Sequence, residues 1–182
     1  VSDADVLLWM DLEMTGLDVE ECAIVEIAVL ATAAATLEPL DDGLAVVVAQ
    51  PPEVLAGMND FVRRMHERSG LLTEIGTDGV PLEDAGRRVL EYIKAHAPEP
   101  RTVPLCGNSI GMDRRFLDRY LPEIEGHLHY RSIDVSSLKE LCRRWYPEPF
   151  KARPEKAEGH RALPDIQASI DELRYYRETI LK

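Results

Sequence analysis

The segment Val6-Leu7-Leu8-Trp9-Met10 constrains this chain more than any other, because an unbroken apolar run stops there at a carboxylate, Asp11. Such a run predicts a strand buried on both faces, the habit of a central strand in an α/β sheet. Both faces of that strand need cover, so helices must pack on either side of it. The polar end of the run is where function is expected.

The rest of the chain supplies the other layers. Residues 23–35 and 44–49 are rich in β-branched and small apolar side chains and predict two further strands, joined through a turn at Asp41-Asp42-Gly43. Residues 51–76 carry several short helical patterns without clear boundaries. Over 81–97, Leu82, Ala85, Val89, Leu90 and Ile93 recur at helical spacing, Pro81 suits the first helical position, and Pro98 and Pro100 end the helix. Val103-Pro104-Leu105-Cys106 predicts a short strand, 112–121 a helix limited by Pro122, and Ser132-Ile133-Asp134-Val135 a last strand. Ser137 followed by Glu140 predicts a capping box for a helix reaching Trp145. Residues 146–159 read as a loop containing Lys151, Arg153 and Lys156, and a final helix begins near Pro164 with Ile166, Ile170, Leu173 and Tyr176 on one face. Strands first, then alternating helix and strand, predict an α/β fold with a mixed central β-sheet flanked by helices on both faces. A length of 182 residues suits one domain spanning 1–182.

Charge narrows the function. A net charge of −12 argues against a protein that holds long nucleic acid on a broad basic surface. A small phosphorylated substrate, met by metal ions and a few Arg or His side chains, remains compatible with it. No apolar run approaches the roughly 18 residues that span a bilayer, and Val1-Ser2-Asp3-Ala4-Asp5 lacks the basic region of a secretory signal. Cys22, Cys106 and Cys142 are odd in number and far apart, which suits reduced thiols used in packing. A cytoplasmic location is the resulting expectation.

Three clusters carry candidate chemistry. Asp11-Leu12-Glu13 puts two carboxylates on one face of a strand, where they repel each other unless a divalent cation is shared. Taken alone, such a pair is more often a solvated strand terminus. Asp113 stands on the first turn of a helix, where an acid commonly just faces the helix dipole, but Gly107-Asn108-Ser109-Ile110-Gly111 before it allows a backbone to come near a ligand. His160 precedes Asp165 at the mouth of the last helix. A loop histidine is more often merely solvated; beside an acidic metal site, a neutral imidazole can take a proton from an attacking water while Asp165 adds a metal oxygen. Arg114-Arg115 and Arg143-Arg144 sit among acids and read as salt-bridged surface.

Together, Trp9-Met10-Asp11-Leu12-Glu13-Met14-Thr15-Gly16-Leu17-Asp18, Cys106-Gly107-Asn108-Ser109-Ile110-Gly111-Met112-Asp113-Arg114-Arg115-Phe116-Leu117 and His160-Arg161-Ala162-Leu163-Pro164-Asp165-Ile166 resemble, in order, the three exonuclease motifs of the oligoribonuclease family, DEDDh 3′→5′ exoribonucleases. The segments 129–141 and 172–177 extend the similarity over almost the whole chain. The resemblance implies an RNase H-like fold and a homodimer that degrades short RNA, especially dinucleotides, to 5′-mononucleotides. It implies that Asp11, Glu13, Asp113 and Asp165 hold two Mg2+ or Mn2+ ions and that His160 is the general base. It further implies that Leu17 and Phe61 wedge or stack against bases, that Ser109 contacts substrate, and that His66, Arg131 and Ser136 cap the 5′ phosphate, with Tyr130 reaching across from a second copy. Read without the family, Leu17 and Phe61 could equally be core residues. The chain departs from many relatives in having Phe61 for Trp, Met112 for Gln and Pro164 for Asp; Phe still stacks, and the catalytic five are intact. A binding module that had lost catalysis predicts damage to that set, and there is none. The rival within enzymes is a related exonuclease trimming longer RNA or DNA.

Overall fold

The computed structural model describes residues 6–154 and 159–181, so the acidic lead at 1–5 and Lys156 lie outside the described residues. Its centre is a sheet in the order β3-β2-β1-β4-β5. The strands are β1 (Val6–Met14), β2 (Ile24–Ala33), β3 (Leu44–Val47), β4 (Pro104–Gly107) and β5 (His129–Asp134). Strand β1 pairs antiparallel with β2 and parallel with β4, and the β2–β3 and β4–β5 pairs are antiparallel and parallel respectively. The sheet is therefore mixed, with the apolar run of β1 at its middle as the sequence predicts.

Alternation along β1 sorts the core into two layers. Leu8, Met10 and Leu12 point to one side, where they meet α4 (Leu82–His96) through Ala85, Val89 and Ile93, and α5 (Gly111–Tyr120) through Phe116 and Leu117. Trp9 points to the other, where α7 (Val135–Trp145) supplies Val135 and Cys142 and α9 (Ala162–Thr179) supplies Ala162, Ile166, Ile170 and Tyr176. The Trp9 indole donates to the Thr32 hydroxyl at 3.0 Å, so its one polar atom is satisfied inside the layer. Helices thus cover both faces, in agreement with the sequence reading. Cys106 and Cys142 are buried packing residues and Cys22 is half-buried, all three as free thiols. Among the described residues no helix is long and apolar enough to cross a membrane.

Local departures from the sequence reading have identifiable causes. Residues 51–76 resolve into α1 (Pro52–Ala56), α2 (Asp60–Arg68) and α3 (Leu71–Thr77), with Asn59 capping α2 by accepting the Val62 N–H and Gly70 breaking α2 from α3 at φ 79°. The capping box expected at Ser137 and Glu140 does not form. Helix α7 starts earlier because Asp134, the last residue of β5, accepts the Ser136 N–H, and Glu140 instead pairs with Arg143 and Arg144. Pro122 ends α5 by opening α6 (Pro122–His127), since proline is at home in a first turn. The expected loop after Tyr146 contains a short α8 (Pro147–Ala152), docked where the Tyr175 hydroxyl donates to the Pro149 carbonyl at 2.6 Å. Helix α9 begins at Ala162, two residues before the expected Pro164, which sits in the first turn where its missing N–H has no intrahelical use. The turn before β3 depends on Gly43: at φ 73°, a Cβ there would stand 2.9 Å from the Val29 carbonyl oxygen.

Phe116 is fully enclosed between β1 and the helices on its side. Phe116→Ala is expected to lower the unfolding free energy by about 3–5 kcal/mol, read from urea denaturation at unchanged m-value.

Candidate active site

The two-residue period of β1 puts Asp11 and Glu13 on the side of the sheet that α9 covers, and α9 brings Asp165 down on its first turn. Each of the three offers a carboxylate oxygen, and those oxygens lie within 4.8 Å of one another. Glu13 and Asp165 are buried and Asp11 half-buried. Carboxylate oxygens gathered this closely can share one divalent cation. The donors are all hard oxygens, so they fit Mg2+ or Mn2+ better than a thiophilic metal.

Asp113 takes a different position from those three. Strand β4 stops at Gly107, and its pairing with β1 reaches only Trp9. Beyond that point the Leu12 N–H donates to the Asp113 carboxylate at 3.0 Å instead of to a strand. Burial pushes the Asp113 carboxyl up to about 6; the N–H groups of Leu12 and of Asp113 itself pull against that rise, and the Asp134 charge adds to it. Asp113 is therefore fastened to the main chain between Asp11 and Glu13. Gly107 permits the close approach of this loop, because a Cβ there would meet the Ile110 Cγ2 at 2.7 Å and the Met10 oxygen at 3.0 Å.

The two histidines named from the sequence part company. His66 is wholly buried behind Glu13, its Nδ1 3.9 Å from the carboxylate and its Nε2 2.9 Å from the Met14 carbonyl oxygen. A carbonyl only accepts, so Nε2 carries the proton and Nδ1 is left without a hydrogen-bond partner among the described residues. Burial, the largest influence, lowers the pKa of His66 and keeps the ring neutral. The structure thus places the ring inside, as the buried residue of α2. His160 is exposed, in a left-handed backbone conformation at φ 44°. It lines a cavity of about 150 Å3 with Phe61, Arg64, Met65, Arg68, Ser69 and Gly159.

The other residues named from the sequence occupy the surface near β5 and α2 or follow β1. Leu17 is 67% exposed and Phe61 71% exposed, so neither is a core residue. Tyr130 is 76% exposed, stacked on His129, with the Arg131 guanidinium over its ring. Ser109 and Ser136, distant in sequence, come together: the Ser109 N–H points at the Asp134 carboxylate at 3.0 Å and at the Ser136 hydroxyl oxygen at 3.2 Å. The Ser136 hydroxyl donates to Asp134 at 2.5 Å, so Asp134 occupies both donors. The Arg pairs behave as surface: Arg114 binds Glu125 and the His129 carbonyl, both at 2.6 Å, and Arg143 and Arg144 share Glu140.

Sequence reasoning missed Asp134, whose signal was an acid directly before a helical pattern. It also missed Glu26, Glu74 and Arg161, for which the one available signal was a charge inside the apolar run of β2.

Comparison with known proteins agrees with this arrangement. The RNase_T family model, described as exonuclease, matches residues 8–173. The oligoribonuclease of Leifsonia xyli subsp. xyli is 51% identical over 177 residues, covering 97% of this chain and 84% of that one. The oligoribonuclease of Streptomyces griseus is 49% identical over 176 residues, covering 97% and 87%. Among solved structures, E. coli exonuclease I in complex with a dA16 oligonucleotide superposes with a TM-score of 0.76 at 14% identity, covering 97% of this chain and 42% of that protein. This chain thus spans well under half of exonuclease I, and the likeness concerns the fold alone. With half of its residues shared with relatives over nearly its full length, and with an exonuclease sheet that gathers acids from β1 and α9, the chain belongs to the oligoribonuclease family of nuclease hydrolases.

Proposed function

We propose that this chain, as a single exonuclease domain, hydrolyses very short RNA from the 3′ end, diribonucleotides above all, releasing 5′-mononucleotides. The observation that carries the reading is the convergence of Asp11, Glu13 and Asp165, three carboxylate oxygens within 4.8 Å, on a site whose fourth acid is fixed to the same strand. Asp11, Glu13, Asp113 and Asp165 would hold two Mg2+ or Mn2+ ions. When bound, such ions lower the pKa of an attacking water and neutralise charge on the departing 3′ oxygen.

The chain's own residues do the rest. His160 accepts the proton of the attacking water. The new bond forms between that water oxygen and phosphorus, the bond from phosphorus to the 3′ oxygen breaks, and the 3′-terminal nucleotide leaves with a 5′ phosphate. Bare Leu17 and Phe61 hold bases by contact with their flat faces, which tolerates any sequence. Ser109, Arg131 and Ser136 receive the 5′ phosphate, and Tyr130 completes that cap from a second copy of the chain. His66 reaches the phosphate only if its ring leaves the Met14 carbonyl, so its support for the cap is weaker than that of the serines. A few pointed donors suit a chain of net charge −12 better than a basic track would, which favours short substrates over long ones.

With Mn2+, purified protein is expected to convert a 5′-labelled diribonucleotide to mononucleotides faster than it shortens a 20-mer, with Asp11→Ala abolishing both. Equal rates on the two lengths would favour the longer-substrate exonuclease, and turnover untouched by Asp11→Ala would remove the metal assignment.

The raised pKa of Asp113 sets a sign for stability. A carboxyl whose folded pKa lies above its ordinary value contributes stability below that ordinary value and loses it as pH rises through the folded one, here from about 4 to about 6. In chelator the melting temperature is expected to fall across that window, and Asp113→Asn to flatten the fall. Mn2+ should restore more at about pH 8 than at about pH 5, since it neutralises ionised acids.

The exposed Tyr130 and Trp145 motivate the dimer. Light scattering at micromolar concentration is expected to give twice the chain mass; a monomer there would remove Tyr130 from the cap.

A further inference from the structure

One ionic network in the molecule has no part in the chemistry described above, yet it grips the residue next to His160. The Arg161 guanidinium lies between two carboxylates. Its Nε donates to Glu26 Oε1 and Oε2 at 3.1 and 3.2 Å and its Nη2 to Glu26 Oε1 at 2.8 Å. Its Nη1 and Nη2 donate to Glu74 Oε1 and Oε2 at 2.9 and 2.7 Å. Glu26 also accepts the Ala162 N–H at 3.0 Å, a helix-start donor that no residue of α9 could satisfy. Three separate elements meet in this fork: β2 through Glu26, α3 through Glu74, and the entry to α9 through Arg161 and Ala162.

Its location is what gives the network meaning. Glu26 is the cross-strand partner of Glu13 and is only 1% exposed. The Arg161 carbonyl accepts the Asp165 N–H at 3.0 Å, so the gripped residue is also the first backbone partner of an active-site acid. On its other side stands His160 at φ 44°. A non-glycine residue holds a left-handed conformation only where its surroundings over-determine it. A buried ion pair is weak evidence for stability in itself, because desolvation offsets most of its attraction. What a two-sided planar fork gives is direction, since a guanidinium bound on both edges can neither rotate nor slide.

We infer that Glu26, Arg161 and Glu74 are positioning residues that hold His160 in its strained conformation and so aim its imidazole. The inference rests on the catalytic reading of His160 given under Proposed function. It predicts that the geometry of the fork matters beyond its charge. Arg161→Lys keeps the positive charge but cannot bridge two carboxylates edge-on.

The test is a double-mutant cycle on diribonucleotide hydrolysis with Mn2+, comparing Arg161→Met, Arg161→Lys and Glu74→Gln in the wild-type and His160→Ala backgrounds. In the wild-type background Arg161→Met is expected to lower kcat by about 10–100-fold, the usual consequence of losing an outer support of a site. KM should change less than about threefold, Arg161→Lys should stay impaired, and Glu74→Gln should fall between. In the His160→Ala background the same changes should cost far less, because the group they aim is gone. If Arg161→Met does not fold, the partly exposed Glu74 still allows the cycle through Glu74→Gln. Equal losses in both backgrounds, or a lower melting temperature with unchanged kcat, would overturn the clamp while leaving the catalytic reading standing. A His160→Ala variant as active as the wild type would sink the catalytic role of His160, and the clamp with it.

Discussion

Side chains of a strand alternate between its two faces, and in β1 that alternation decides which residues become core and which become chemistry. Leu8, Met10 and Leu12 pack under α4 and α5, while Trp9, Asp11 and Glu13 face α9. Pairing with β2 across the whole of β1 fixes the phase. A slip of one residue would turn both acids into the apolar layer and Leu12 out of it, exchanging buried methylenes for uncompensated buried charge. Neither the acidic site nor the core can therefore drift without the other.

The second demand on the fold is electrostatic. An acidic chain carries carboxylates on several elements around its central strand, and several find different forms of relief. Asp113 leans on backbone N–H groups, and Glu26 takes both edges of a guanidinium and a helix-start N–H. Asp134 gathers two backbone N–H groups and a hydroxyl. Asp11, Glu13 and Asp165 bring carboxylate oxygens within 4.8 Å of one another, a set of hard donors that suits a divalent cation. Part of the remaining positive charge is used locally, as with Arg114 on Glu125 and Arg174 between Asp171 and Glu38.

The sheet and its flanking helices were readable because their signals are periodic. The run before Asp11, the stripe from Leu82 to Ile93 and the stripe through Ile166, Ile170 and Tyr176 each declare element and buried face. The convergence of β1 acids with Asp165 was reachable only through resemblance to a family, since no spacing rule links positions so far apart in the chain. The bounds of the short helices α1 to α3, and α8 altogether, escaped because each has too few turns for a stripe to be distinguished from chance. The start of α7 was misplaced because two residues could cap it, and the acid ending β5 won over Ser137 by reaching the N–H first. His66 has the look of a polar surface residue amid Arg and Glu neighbours; only the packing of α2 against Glu13 and Met14 shows it to be interior. Arg161 and its two acids are separated by 135 and 87 positions, and nothing local announces that they meet.

Asp113 is tethered by the Leu12 amide, an anchor that owes nothing to any ion. That corner is set when the chain folds, so any ion arriving at these acids would meet a side chain already held in place.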